Sequence, residues 1–177
     1  MFLVREAYKG HETGMKVYSN FKLGFPHTLL EFSNIVESNL QNAIVILDEA
    51  HLWGLNSRDA MSKKNKLITS QFLVQCRKQG VLLYVCSQYI RQLDVRVREN
   101  ADYVLFCKKY LYNKTDHRVA AAIQSRNYRK GVPVIIEVEW NDIGQDKTAY
   151  QYFFANNLYR LYDTREVIKI QDIVEDK

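Results

Sequence analysis

The most informative part of the chain is Ala43-Ile-Val-Ile-Leu47, which runs directly into Asp48-Glu-Ala-His51. A continuous apolar run with β-branched residues at its centre is typical of a strand that is buried on both faces of a parallel sheet. Proteins with such sheets bind their ligands at the carboxyl ends of the strands. The stretch therefore predicts an α/β domain with Asp48 and Glu49 at the ligand-binding edge of its sheet.

Two carboxylates at this position are suited to nucleotide chemistry. Asp48, fixed by the end of the strand, can hold Mg²⁺ or its water through oxygen, which is the ligand type that this cation prefers. Glu49, one residue further on, can polarise a water molecule that attacks a γ-phosphate. Acidic residues also end strands for purely structural reasons, so these two residues alone leave both interpretations open.

The sequence after Asp48 predicts a helix and two further strands of the same sheet. Residues 66–79 have helical spacing and end at Gly80, a typical position for a C-terminal glycine. Residues 81–86 form a second buried-strand pattern that leads into Ser87-Gln88, and residues 103–107 form a third. Strands and helices in this order predict a right-handed, mostly parallel sheet flanked by helices, with Gln88 beside Asp48.

Other elements are predicted nearer the two ends. The pattern of residues 2–9 predicts a helix that ends at Gly10 and Gly14. Residues 16–21 have the pattern of a strand, and residues 28–39 have that of a helix. Residues 132–140 and 150–154 alternate on either side of a turn sequence, which is typical of an antiparallel hairpin. We expect a single domain, with an α/β core in residues 1–110 and a β-rich C-terminal extension in residues 111–177.

The positive charge is concentrated in the middle of the chain. Residues 58–130 contain 16 Lys and Arg against 5 Asp and Glu, an excess of +11, whereas the flanks carry 9 against 15 and the whole chain is +5. Such a distribution favours an anionic partner, with phosphate as the usual candidate, although a solvated basic surface would look the same. The candidate nucleic-acid contacts are Lys63, Lys64, Lys108, Lys109, Arg129 and Lys130.

The sequence also indicates a compartment. The longest apolar runs are too short to cross a bilayer, and the first residues lack the pattern of a signal peptide. Three separated cysteines without CxxC spacing are most simply reduced thiols and not a disulfide or zinc framework. We therefore expect a cytoplasmic protein, which includes the inner face of the membrane.

Several blocks of the chain resemble one family. IVILDEAH at residues 44–51, RKQGVLLYVCSQ at 77–88 and LDVRVREN at 93–100 resemble the FtsK–HerA superfamily of P-loop ATPases, and VYSNF at 17–21 and YDTRE at 162–166 add to the likeness. Within that superfamily the chain is most similar to the viral branch, which includes zonular occludens toxin-like proteins of filamentous phages and viral DNA-packaging ATPases. The resemblance implies a RecA/ASCE-type, P-loop NTPase-like fold.

The resemblance also implies roles for individual residues. Asp48 and Glu49 match the Walker B pair that works with Mg²⁺ and ATP, and Gln88 matches the glutamine that senses the γ-phosphate. Arg77 and Arg98 fall where the family places arginines that act on the nucleotide of a neighbouring subunit. Such proteins form homo-oligomeric rings, usually hexamers, which move or extrude DNA.

One motif of the family is missing. The pattern Gly-x-x-x-x-Gly-Lys-Ser/Thr, whose backbone amides and lysine hold the β- and γ-phosphates, occurs nowhere in the 177 residues. We therefore expect this chain to bind nucleotide poorly and interpret it as a fragment of a DNA-translocating ATPase that lacks the first strand and the P-loop. The alternative is a non-catalytic nucleic-acid-binding or ring-assembly module. A fragment of a DEAH-type helicase is disfavoured, because Gln88 and not a Ser-Ala-Thr-like motif ends the next buried strand.

Overall fold

The structure is a computed structural model, and it describes residues 1–32, 35, 38–56, 63–111 and 134–162. The chain divides into two compact units. The first, here called the α/β unit, contains Leu3–Asn100 and the chain from Leu161 onward. The second, here called the sheet unit, contains Met1–Phe2 and Ala101–Arg160.

The α/β unit is built on a parallel sheet. Its strands lie in the order β2-β1-β3-β4, and every neighbouring pair of the described strands is parallel. The elements are helix α1 (Phe2–Glu12), strands β1 (Lys16–Ser19), β2 (Thr28–Leu29) and β3 (Ala43–Leu47), helix α2 (Lys63–Lys78), strand β4 (Leu82–Val85), a 3-10 turn (Ile90–Gln92) and helix α3 (Val95–Glu99). The predicted mixed α/β class with a parallel, helix-flanked sheet is thus confirmed.

Strand β3 forms the centre of this sheet, because all five of its residues are buried. On one face Val45 and Leu47 belong to a core cluster that includes Phe72 of α2. On the other face Ile44 approaches α1 so closely that a Cβ atom added to Gly10 would lie 3.1 Å from its Cγ2 atom. Apolar side chains are therefore covered on both faces, which explains the uninterrupted hydrophobic run.

Several predicted boundaries need correction. Helix α1 continues through Gly10, where the missing side chain allows close packing, and ends at Glu12, shortly before Gly14 with a φ of 85°. Helix α2 begins at Lys63, three residues before the predicted start. The helix predicted for residues 28–39 is wrong at its beginning, because Thr28 and Leu29 pair in parallel with β1. Residues 33, 34, 36 and 37 of that range lie outside the described residues.

The sheet unit contains three antiparallel strands in the order β5-β6-β7. They are β5 (Tyr103–Leu111), β6 (Val134–Asp142) and β7 (Lys147–Phe154), and a 3-10 turn follows at Tyr159–Leu161. The predicted C-terminal hairpin is therefore confirmed. The expectation that residues 103–107 form a third strand of the parallel sheet is wrong, because Tyr103 lies opposite Asp142 in an antiparallel ladder. The run is apolar but not fully buried, since half of the Phe106 surface is exposed (50%).

Within the described parts of the chain, no helix combines the length and the apolar character needed to cross a membrane.

Candidate functional site

The first part of the candidate site is the backbone of Asp48, directly after β3. The amide side chain of Asn20, which follows β1, holds it from both sides. Asn20 Nδ2 donates a hydrogen bond of 2.7 Å to the Asp48 carbonyl oxygen, and the Asp48 N–H donates one of 2.9 Å to Asn20 Oδ1. Because β1 and β3 are neighbours in the sheet, this pair of bonds fixes Asp48 at the carboxyl edge.

Glu49 occupies an unusual backbone conformation. Its φ of 44° lies in the left-handed region, which costs a non-glycine residue about 1–3 kcal/mol. The conformation is held locally, since the Glu49 N–H donates to Asp48 Oδ1 at 3.1 Å and the Ala50 N–H donates to the Cys86 carbonyl oxygen at 3.0 Å. The turn therefore ties the end of β3 to the end of β4 and sets the direction of the Glu49 side chain.

Gln88 meets this side chain from the next strand. Gln88 Nε2 donates a hydrogen bond of 3.0 Å to Glu49 Oε1, although 39 residues separate the two along the chain. The convergence that the sequence predicted, of the acidic pair and the glutamine at one edge of a parallel sheet, is thus present in the structure. The catalytic roles assigned to these three residues remain predictions.

His51 and Ser87 complete the surroundings of Glu49. His51 Nδ1 lies 3.4 Å from Glu49 Oε2 and 3.2 Å from Ser87 Oγ, and only 12% of the His51 side-chain surface is exposed. The tight turn after β3 brings His51 back onto Glu49, and the local pattern of the sequence carries no signal for this contact.

The second carboxylate oxygen of Glu49 has unusual surroundings. It is enclosed, yet among the described residues it accepts no hydrogen bond, because His51 approaches within ion-pair distance but without hydrogen-bond geometry. A buried acceptor without a donor is costly in an ordinary folded protein.

Cys86 lies beneath the acidic pair. Burial, together with the neighbouring Asp48 carboxylate to which the thiol donates a hydrogen bond, raises the pKa of its thiol to about 12. Burial also raises the pKa of Cys76, on the buried face of α2, to about 12. Both thiols therefore stay protonated at neutral pH, which disfavours Cys86 as a thiolate nucleophile.

The two thiols provide a test of the contact between Cys86 and Asp48. We expect Asp48→Asn to lower the pKa of Cys86, because the carboxylate that disfavours the thiolate is removed, while burial still holds the pKa above its ordinary value. Alkylation by iodoacetamide, followed by mass spectrometry over a pH series, should show faster labelling of Cys86 at alkaline pH. Cys76 is the internal control and should label as in the wild type. Equal acceleration at both thiols would indicate loosening of the fold and contradict the assigned contact.

The predicted arginines are bonded elsewhere. Arg77, in the last turn of α2, donates from Nη2 to the carbonyl oxygen of Asn100 at 3.2 Å. Arg98 in α3 donates from Nε to the carbonyl oxygen of Leu93 at 3.1 Å. The structure records no contact of either guanidinium with the acidic pair among the described residues, so a role for them on a neighbouring subunit stays a prediction.

The predicted nucleic-acid residues fall in three separate stretches of the sequence. Lys108 and Lys109 are exposed on β5, and the Nζ atom of Lys108 lies 3.6 Å from Glu137 and 4.0 Å from Glu139. Lys63 and Lys64 begin α2, and their side chains are outside the described part of the structure. The remaining two, Arg129 and Lys130, also lie outside the described residues.

The donors at the site fit a hard cation. Within the described ranges, the structure shows no group of three or more His, Cys, Asp and Glu side chains able to form an all-protein metal cage. A single rigid carboxylate at the strand end, as offered by Asp48, instead matches the way in which Mg²⁺ is bound by one or two carboxylates together with substrate phosphates.

Two solved structures of the genome packaging NTPase B204 from Sulfolobus turreted icosahedral virus 2 are similar to this chain. The complex with ATP-gammaS has a TM-score of 0.50 and 11% sequence identity, and the complex with AMP has a TM-score of 0.51 and 9% identity. Each comparison covers 85% of this chain and 89% of the other. No protein-family model matches the chain, and no curated protein sequence is significantly similar to it. The likeness therefore concerns the fold alone: this chain has a P-loop NTPase-like α/β fold.

Proposed function

We propose that the chain is a fragment of a viral or mobile-element ATPase that couples ATP hydrolysis to DNA translocation. The observation that supports this proposal is the hydrogen bond between Gln88 and Glu49 at the carboxyl edge of a parallel sheet. Glu49 directly follows Asp48, whose backbone is held by Asn20. The fold shared with a genome packaging NTPase supports the same conclusion. Within this class we propose the FtsK–HerA superfamily, with a zonular occludens toxin-like or packaging protein as the nearest type and a hexameric ring as the assembly.

Each residue of the site has a defined task in this proposal. Asp48 holds Mg²⁺, which neutralises charge on the ATP phosphates when it is bound. Glu49 accepts a proton from the water that attacks the γ-phosphate. Gln88, bonded to the other oxygen, keeps the carboxylate oriented and lies where it can sense the γ-phosphate.

In this proposal the phosphates of ATP are not bound by these 177 residues alone. The 177 residues contain no Gly-x-x-x-x-Gly-Lys-Ser/Thr sequence, and two carboxylates alone repel a triphosphate. We propose that a phosphate-binding loop outside these residues completes the site. The chain by itself then supplies the metal ligand, the general base and the sensor, and it binds ATP weakly.

The proposal is tested by comparing two polypeptides. We expect the 177-residue chain to show little ATP hydrolysis, whereas the open reading frame extended upstream through a Gly-x-x-x-x-Gly-Lys-Ser/Thr sequence hydrolyses ATP with Mg²⁺ and faster with DNA. Phosphate release with and without duplex DNA is the measurement, and EDTA is the control for the metal. A reading frame without such a loop, together with no hydrolysis, would overturn the enzyme assignment.

The missing loop also favours a second candidate. A non-catalytic nucleic-acid-binding or ring-assembly module needs no phosphate grip, and the +11 excess of charge between residues 58 and 130 suits a DNA ligand. In that case DNA affinity falls steeply with added salt but does not change with ATP. The enzyme proposal instead expects ATP to change DNA affinity in the extended polypeptide.

A further inference from the structure

One row of the sheet unit forms an unusual surface. Phe106 of β5, Glu139 of β6 and Tyr150 of β7 are directly opposite one another across the three antiparallel strands, so their side chains lie on the same face. Both rings are exposed, Phe106 by 50% and Tyr150 by 58%. Two strand spacings, about 10 Å, separate the backbones that carry them. We call this row the aromatic face.

The charge of this face favours a cation. Lys108 and Glu137 form the adjacent row, so that one ammonium group lies near two carboxylates, at 3.6 Å and 4.0 Å. The described side chains around Glu139 therefore carry a net charge of −1. A phosphate backbone would be repelled here, whereas a guanidinium group could stack on an aromatic ring and pair with Glu139 at the same time.

The α/β unit carries a surface of complementary character. Directly after β4, three apolar side chains are exposed: Tyr89 by 67%, Ile90 by 43% and Val95 by 45%. Arg91, between them in the chain, is exposed, and among the described residues no hydrogen bond or ion pair is recorded for its guanidinium group. We call these four residues the arginine patch. Exposed apolar residues grouped around a charge are typical of protein–protein contacts.

The other arginines near this patch are already engaged. Arg96 forms an ion pair with Asp94, and Arg98 donates to the carbonyl oxygen of Leu93. Arg91 is therefore the arginine of this segment that the described structure leaves most accessible to a partner.

We propose that Arg91 of one copy docks on the aromatic face of a second copy, with its guanidinium group between Phe106 and Tyr150 and paired with Glu139. The two surfaces differ, so the contact is head-to-tail, and head-to-tail contacts produce rings when the rotation closes. Arg91 lies three residues after Gln88. The contact therefore places a neighbouring subunit next to the candidate site, and this last consequence alone rests on the proposed function.

Charge reversal tests the contact. The weight-average mass of the chain without nucleotide, measured by analytical ultracentrifugation over a concentration series, should show self-association. Arg91→Glu and Glu139→Arg should each weaken it by at least about tenfold, and the double variant should recover most of the loss, since the pair is restored in reverse. Lys147→Glu makes the same change of charge as Arg91→Glu on an exposed residue of β7 and should leave association unchanged.

Other outcomes would overturn the inference. The inference is wrong if the chain stays monomeric at all concentrations. It is also wrong if the double variant self-associates no more tightly than the single variant with the lower affinity. If Phe106→Ala and Tyr150→Ala reduced affinity for single-stranded DNA but not self-association, the face would be a base-stacking surface instead. The self-association experiment contains no nucleotide. A lack of ATP hydrolysis would therefore contradict the proposed function but leave the self-association result unchanged.

Discussion

Replacing Glu49 by glutamine is expected to lower ATP hydrolysis by about 10²–10⁴-fold in a polypeptide that contains this chain together with a phosphate-binding loop. The amide keeps the size of the side chain and its contact with Gln88, but it cannot accept a proton from water. Nucleotide binding should change little, because Asp48 and the loop, not Glu49, hold the metal and the phosphates. The measurement is the single-turnover rate of phosphate release, with ATP affinity determined separately.

A matched control is Glu12→Gln, which makes the same substitution at an exposed carboxylate at the end of α1. Its rate should equal that of the wild type. Gln88→Ala should have a smaller effect than Glu49→Gln, because it removes a hydrogen bond that orients the carboxylate but leaves the proton acceptor in place. If the Glu49→Gln variant hydrolyses ATP at the wild-type rate, Glu49 is not the general base, even if the fold is correct.

The accuracy of the sequence-based fold depended on how completely each element is buried. Strand β3 was predicted to the residue because all five of its side chains are enclosed, so that hydrophobicity alone marks both ends. Residues 103–107 have a similar composition, yet Tyr103 and Phe106 are half exposed and the strand is antiparallel. An apolar run predicts a strand, but it does not specify the partner or the direction of pairing.

The candidate site was predictable where geometry follows from topology. Parallel strands end at a common edge, so the residues after β3 and β4 had to approach each other, and Gln88 does contact Glu49. The contacts of Asn20 and His51 were missed for a different reason. They depend on side-chain rotamers and on the left-handed turn at Glu49, neither of which leaves a periodic signal in the sequence. A polar residue directly after a strand next to β3 was the only clue to Asn20.

Replacing Asn20 is expected to affect stability as well as activity. We expect Asn20→Ala to lower the free energy of unfolding by about 1–3 kcal/mol, because it leaves the partly buried N–H and carbonyl groups of Asp48 without the partner that satisfies both. In the extended polypeptide, hydrolysis should also fall, since Asp48 is then less firmly positioned. Urea denaturation followed by circular dichroism gives the first quantity and phosphate release the second.

The isosteric variant Asn20→Asp separates these hydrogen bonds from simple loss of packing. At pH 7 the introduced carboxylate still accepts from the Asp48 N–H, but it cannot donate to the Asp48 carbonyl oxygen, and it adds a negative charge beside two others. Because the folded protein needs a donor there, the neutral acid is favoured and the pKa of the introduced carboxyl should rise above its unfolded value. The stability deficit relative to the wild type should therefore shrink as the pH falls through that pKa, since the protonated carboxyl restores both bonds. The deficit of Asn20→Ala should stay constant over the same range, and parallel curves for the two variants would contradict the assigned hydrogen bonds.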